Sequence, residues 1–225
     1  LVAVWTLWLF RDQLPQQRWL RGQCLAAMVA LTAGFIAADR ITTLAEENLY
    51  ADEIVLARSS PYQRIVLTRW KDDLRLFLNN NLQFSSRDEY RYHEALVHPG
   101  LSATPGARQV LVLGGGDGLA VREILRYDTV ESITLVDLDP EMTRLFAEHP
   151  LLTPLNGNAL NSPKVKMINA DAFRWLEENS GVFDFIVVDF PDPTNYSLGK
   201  LYSTVFYRLL EKRLAAHGVN APQTN

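Results

Sequence analysis

Hydrophobic and polar positions follow three different patterns along this chain, and each pattern predicts a different kind of structure. Residues 1–10 (LVAVWTLWLF) and 24–38 (CLAAMVALTAGFIAA) are continuous apolar or small runs, separated by a polar stretch over residues 11–21. The first run reads as the end of a hydrophobic helix, with Trp5, Trp8 and Trp19 placed where indoles often sit at a membrane interface. The second run has 15 residues, short of the about 20 that a perpendicular span needs. It reaches that length only if residues 20–41 are counted with Arg21 and Arg40 snorkelling. We therefore expect membrane-inserted segments over residues 1–45, with a buried or interfacial helix as the alternative.

After a polar linker at residues 43–52 the pattern changes to short β-rich runs at 53–58 (EIVLAR), 62–70 (YQRIVLTRW) and 74–79 (LRLFLN). Turn residues separate them, Lys71-Asp72-Asp73 and Asn79-Asn80-Asn81, which predicts a small antiparallel β subdomain over residues 46–85. From Ser86 the period becomes helical, and then strands and helices alternate over residues 86–225. Strands are expected at 109–113, 132–136, 165–169 and 184–188, with helices at 119–127, 140–149, 172–179 and 199–215. Such alternation predicts an α/β fold with a Rossmann-like, doubly wound parallel sheet, here expected to be incomplete on its C-terminal side.

Composition narrows the function. Formal net charge is -4 from 22 basic and 26 acidic residues, with no dense basic block, so nucleic acid is not expected as a partner. The single cysteine, Cys24, has no second thiol for a disulfide or a zinc site, and no metal-binding constellation is visible. His98, His149 and His217 read as structural, near helix ends. The chain opens on Leu1, within an apolar stretch, and reads as an excerpt of a longer protein.

Candidate chemistry gathers at the predicted strand ends. The segment 110–121 (VLVLGGGDGLAV) places Gly114, Gly116 and Gly118 at a strand-to-helix turn, where the backbone can approach a ligand. A dinucleotide turn is one reading, because Asp137 follows Gly114 by 23 residues, about where a ribose-binding acid belongs. Asp117 opposes it: a carboxylate within the turn would repel a pyrophosphate and attract a cation. In an open α/β sheet ligands collect beyond the carboxyl ends of the strands, and there the sequence sets Asp117, Asp137, Asp171 and Asp189. Asp139 and Asp171 are also placed to cap the helices that follow. Asp189 and Asp192, in the run DFPDP, suit a diamine, one beside the attacking nitrogen and one at the distal ammonium. An alkylamine is protonated near neutral pH and must lose a proton before it can attack, and Asp189 is the candidate acceptor.

The runs GGGDG, VESITLVDLDP, NADAF and FDFIVVDFPDP, in this order and spacing, resemble the polyamine aminopropyltransferase family, spermidine synthase in particular. Ser60-Pro61-Tyr62-Gln63-Arg64-Ile65 and residues 87–94 (RDEYRYHE) resemble the motifs of that family's β subdomain and linking helix. The resemblance covers about residues 58–218. It implies transfer of an aminopropyl group from decarboxylated S-adenosylmethionine, as co-substrate and with no cofactor, to putrescine or a similar amine. It also implies that Gln63 and His93 contact the donor, and that the Gly114, Gly116 and Gly118 turn carries it. Asp117 would then hold its ammonium, Asp137 its ribose, and Asp171 with Ala172 its adenine. Tyr92 and Asp189 would orient and deprotonate the amine, and Asp192 would bind its far end.

Where the family often has glutamate at the ribose position this chain has Asp137, and residues 193–202 replace a glycine-rich loop, which leaves the acceptor amine open. Membrane-attached members of the family are known. The apolar N-terminus therefore points to a multi-pass cell-membrane protein, with lipids as partners and the catalytic domain on the cytoplasmic side. Oligomeric state is not legible. Two other functions fit a subset of the features: a membrane-tethered polyamine or nucleoside sensor without turnover, and an S-adenosylmethionine-dependent methyltransferase.

Overall fold

The structure is a computed structural model that describes residues 17–38, 50–193 and 196–222, together with Val2, Trp5, Thr6, Arg40 and Thr42. It divides into two compact units, Leu1–Glu53 and Ile54–Asn225. The first contains helix α1 (Gln17–Ile36), in which Thr32 returns its hydroxyl to the Met28 carbonyl at 2.8 Å. No helix among the described residues is long and apolar enough to cross a membrane. This overturns the expected transmembrane segment, and the multi-pass membrane localisation and lipid partnership that rested on it go with it. The physical reason lies in length: the apolar part of α1, residues 24–36, spans only about 20 Å at 1.5 Å per residue, against a hydrocarbon core of about 30 Å. Most of residues 1–16 and 43–49, including Trp8 and the linker, lie outside the described residues.

The second unit opens with an antiparallel sheet in the order β1-β2-β3-β4, formed by Glu53–Ser59, Arg64–Trp70, Asp73–Leu78 and Asn81–Ser85. Asn79 and Asn80 take φ of 49° and 67° between the paired Leu78 and Asn81, the two left-handed residues that a tight hairpin turn requires. Strand β4 was not expected, because NLQFS is short and mostly exposed; the hairpin pairs it with β3 nonetheless. Ile65, Leu67, Leu76 and Phe84 of this sheet share one core with Val112 and Phe185 of the sheet that follows and with Phe146 of the helix Pro140–Glu148.

Helix α2 (Glu89–Ala103) leads into a five-stranded parallel sheet, β7-β6-β5-β8-β9. Its strands are β5 (Gln109–Gly114), β6 (Ser132–Asp137), β7 (Val165–Asn169), β8 (Phe183–Asp189) and β9 (Leu214–Pro222). Helices α3 (Leu119–Ile124), α4 (Pro140–Glu148) and α5 (Ala172–Glu178) connect the first four. Val110, Leu111, Val112 and Leu113 are fully buried, as expected for a central strand covered on both faces. The chain winds outward from β5 through β6 to β7 and then returns to the other side of β5 as β8. The order therefore reverses between β5 and β8, and at such a point the carboxyl ends of the strands are where open α/β sheets bind ligands.

Beyond β8 the structure departs from the expected long helix. A short helix α6 (Tyr196–Gly199) and a 3-10 turn (Lys200–Tyr202) lead to α7 (Thr204–Glu211), whose first turn is capped by Ser203. Residues 214–222 then form β9, paired in parallel with β8, so the sheet gains the fifth strand it was expected to lack. The run LAAHGVNAP has little β propensity, and pairing with β8 overrides it. His217 accordingly lies in a strand rather than at a helix end.

Helix α2 packs on β8 at Gly100, where an added Cβ would stand 2.3 Å from Phe185 Cε2. Gly100→Ala forces that ring from its fully buried position and is expected to cost about 1–3 kcal/mol. It should lower the urea midpoint at unchanged slope. Gly199→Ala, which meets open space, should stay within about 0.5 kcal/mol of the parent.

Candidate active site

The site is built where β5 and β8 end. Gly114 pairs with Asp189, and its φ of 80° would hold a Cβ 2.1 Å from the Asp189 carbonyl oxygen, so no side chain fits there. The Gly115 N–H donates to that carbonyl at 3.1 Å. A Cβ at Gly116 would stand 2.7 Å from Asp137 Cγ, and the Gly116 N–H instead donates to Asp137 Oδ2 at 3.1 Å. Gly118, with φ of 75°, starts α3. Buried Asn156 fixes the turn from outside by donating Nδ2–H to the Asp117 carbonyl at 2.8 Å. The glycines are thus needed because two acidic side chains and a carbonyl approach the turn closely.

Asp117 leaves this turn half-buried, its Oδ1 accepting the Leu119 N–H at 2.9 Å. One ligand atom each from His93, Asp117 and Asp189 lies within 4.8 Å of the others. Tyr92 donates its hydroxyl to Asp189 Oδ1 at 2.7 Å. Burial, with the charge of Asp189 added and that of His93 opposing, pushes the Asp117 carboxyl up to about 6. Burial and the adjacent Asp189 charge raise Tyr92 well above the usual phenol range, so it remains a donor and is no base. Burial opposes a charge on His93, but its bond to Glu89 and the charges of Asp117 and Asp189 prevail and raise it above free imidazole.

Asp137 accepts two backbone bonds, from Gly116 and from the Asp139 N–H at 2.8 Å. Burial is the main cause that lifts its carboxyl to about 6, with repulsion from Asp117 behind it. Asp139 caps α4 through the Glu141 N–H at 3.0 Å, as the sequence predicts, but it also serves the site. Its other oxygen accepts from Gln63 Nε2 at 2.8 Å and from Ser60 Oγ at 2.7 Å, tying the antiparallel sheet to the end of β6. The amide nitrogen of Gln63 is thereby fixed on Asp139.

Asp171 caps α5 through the N–H groups of Phe173 and Arg174 at 2.9 and 3.3 Å, and its second oxygen is bonded to Lys200. Burial works against ionisation here, but the bonds from Lys200 and the backbone outweigh it and hold the carboxyl below its usual range. Ala172 is buried in the first turn of α5. Asp192 lies exposed in the loop after β8. Burial and the nearby Asp192 charge push Tyr202 up to about 12, and its hydroxyl donates to the Pro191 carbonyl at 3.0 Å. Residues 194 and 195 of this loop lie outside the described residues.

Three contributors were not singled out from the sequence: Asn156, Glu89 and Arg122. Glu89 bonds His93 Nδ1 at 2.8 Å and receives a fork from Arg122 at 2.8 and 3.1 Å. The i, i+4 spacing of Glu89 and His93 on α2 carried that signal. Nothing in the sequence marked Asn156 or Arg122. A further cluster, Glu94, His98 and Glu123, lies between α2 and α3 and is already neutralised by Arg122 and Arg126.

A model of the spermine/spermidine synthase domain matches residues 89–225, which contain the glycine turn and every acid at the strand ends. The chain belongs to this family. Polyamine aminopropyltransferase 2 of Ralstonia nicotianae is 59% identical over 222 residues, covering 97% of this chain and 44% of its own length. A polyamine aminopropyltransferase of Leptospira interrogans is 55% identical over 213 residues, covering 95% of this chain and 43% of its own. The chain thus spans less than half the length of these curated relatives. Among solved structures, a spermidine synthase in complex with the transition-state analogue AdoDATO matches with a TM-score of 0.72 at 26% identity, over 76% of this chain and 58% of that one. Spermidine synthase from Thermotoga maritima gives 0.69, also at 26% identity, over 76% and 57%. Membership of the spermine/spermidine synthase family accords with the observed pairing of a small antiparallel sheet and a Rossmann-like parallel sheet.

The raised carboxyl of Asp117 has a stability consequence. Its folded value of about 6 lies above the ordinary 3.8, so between those values the folded state binds more protons than the unfolded. That contribution is lost as pH rises through the window. Asp117→Asn removes it, and should raise Tm at pH 8 by a few degrees, about 2–4 °C per kcal/mol relieved. The gain should vanish near pH 4. A thermal scan at the two pH values checks this.

Proposed function

We propose that this chain forms the catalytic part of a polyamine aminopropyltransferase. Decarboxylated S-adenosylmethionine is the donor, and putrescine or a similar diamine is the acceptor. One observation carries the reading: Asp117 and Asp189, carboxylates from two different strand ends, meet beside His93 at the point where the strand order reverses. A pocket of that charge suits a ligand with a sulfonium and an ammonium and no phosphate. The relatives named as polyamine aminopropyltransferases support the same activity.

In this reading Asp117 receives the ammonium of the donor's aminopropyl arm. The carboxylate of Asp137 and the Oε1 of Gln63 receive the ribose hydroxyls, and the bare glycine turn at Gly114, Gly116 and Gly118 leaves room for the nucleoside. Ala172 lines the adenine pocket, with Asp171 at its edge, where Lys200 must yield if that carboxylate is to bind the adenine amino group. His93 stands beside the donor's charged arm, and Asp192 takes the distal ammonium of the diamine.

Tyr92 fixes Asp189 through its hydroxyl, and Asp189 accepts the proton that the attacking amine must lose. The amine nitrogen then forms a bond to the methylene carbon next to sulfur, the C–S bond breaks, and its electron pair stays on sulfur. Methylthioadenosine leaves as a neutral thioether, and the proton passes from Asp189 to solvent. Alignment of nitrogen, carbon and sulfur supplies most of the acceleration, and the acids fix the cations at both ends.

Purified protein given donor and putrescine should form methylthioadenosine and spermidine in equal amounts. Asp189→Asn should reduce kcat by about 10²–10⁴-fold, the usual contribution of a positioned base, with the KM for the donor little changed. Absence of methylthioadenosine at every enzyme concentration would refute the proposal.

A further inference from the structure

Beside the acid pair lies a partly buried chain of charges that the transfer reaction does not consume: Arg122, Glu89 and His93. Nδ1 of His93 meets two acceptors, the Glu89 carbonyl at 2.9 Å and Glu89 Oε2 at 2.8 Å. A nitrogen between two acceptors must carry the proton, so the tautomer is set and Nε2 is left for the acids above. Glu89 is itself held as a carboxylate. Burial alone would raise its pKa, but the bonds from His93 and Arg122 overcome this and lower it. Arg122 in turn is anchored by the Leu155 carbonyl at 2.6 Å and by Glu123 at 2.9 Å.

The groups that face His93 are Glu89 and Tyr92 on its own helix, Asp117 from the glycine turn and Asp189 from the end of β8, with Arg122 of α3 behind Glu89. Arg122 is shared between Glu89 and Glu123 and so offsets only part of the Glu89 charge. The two aspartates remain, close to each other and partly removed from water, and their repulsion is relieved by a cation between them. Within the protein His93, raised above free imidazole, is the group placed to supply one. A donor carrying a sulfonium and an ammonium brings positive charge to the same place. Among these groups the imidazole is the cation that sheds its charge most readily near neutral pH.

We propose that His93 is the resident counter-cation of the empty pocket and releases its Nε2 proton to solvent as the cationic donor takes its place. Glu89 is the positioning residue that fixes the tautomer and sustains the charge until then. This rests on the aminopropyltransferase reading and adds to it a proton coupled to donor binding rather than to chemistry. Donor affinity should accordingly rise with pH until His93 is neutral in the free enzyme, by up to about tenfold per pH unit for one whole proton.

The test is calorimetry of the full chain at pH 7 in buffers of different protonation enthalpy, with decarboxylated S-adenosylmethionine and no amine. Neutral methylthioadenosine is the comparison. The donor should release protons, in an amount that falls as pH rises, and methylthioadenosine none. His93→Gln should remove most of the release, leaving the smaller share that comes from Asp117 and Asp137. Glu89→Gln should move it, and the pH dependence of donor affinity, to lower pH while methylthioadenosine affinity holds, and Glu89→Asp, which keeps the charge, should restore it. A purely structural role for Glu89 would instead weaken both ligands alike. Donor binding with no buffer-dependent heat, or a release unchanged in His93→Gln, overturns this proposal while wild-type turnover leaves the aminopropyltransferase reading intact. Failure of both ligands to bind overturns both.

Discussion

The contact between the ends of β5 and β8 is the constraint on which the rest of the site depends. Gly114 lies directly beside Asp189, so close that a single methyl group would collide with the neighbouring carbonyl. The glycine turn can therefore bend over the end of β8 and deliver Asp117 to the same pocket as Asp189. The turn also leaves the Gly116 N–H free to hold Asp137. Three carboxylates from three strand ends converge because the backbone between them carries no side chains. The switch in strand order sets where they meet, and the glycines let them come close.

Such a pocket is costly to keep empty. Asp117 and Asp137 are each pushed up to about 6, with burial the leading cause in both. A fold selected for stability alone would not gather these groups. In the proposed function that strain is relieved by positive charge, first by His93 and then by a cationic donor, so that the electrostatic cost of the unliganded site is turned into selectivity. The helix caps have a related part. Asp139 and Asp171 begin helices, but Asp139 also orients Gln63 and Asp171 also holds Lys200, so each couples a loop to the sheet.

The parallel sheet was legible because its first four strands are short apolar runs bounded by glycine and acidic residues, and they stand within a residue of where the pattern put them. What escaped was decided by tertiary contact. Strand β9 has the sequence of a loop and becomes a strand through pairing with β8. The apolar run in α1 suggested a membrane span, although it is several residues short of one. In the site, the acids at the strand ends could be found because position after a strand is itself the signal. The second role of Asp139 and the support from Asn156 and Arg122 could not, since each depends on partners far away in the chain. Glu89 was the intermediate case, visible through its helical spacing from His93 yet meaningful only once Arg122 was seen behind it.

In the function proposed above, charge selects the donor, a nucleoside with a bare aminopropyl ammonium over one with a carboxylate on the same arm. Equilibrium binding of decarboxylated S-adenosylmethionine and of S-adenosylmethionine to the wild-type protein, at equal pH and ionic strength, tests it directly. The decarboxylated donor is expected to bind at least about tenfold more tightly, a difference of about 1.4 kcal/mol. Equal affinity, or tighter binding of S-adenosylmethionine, would contradict it.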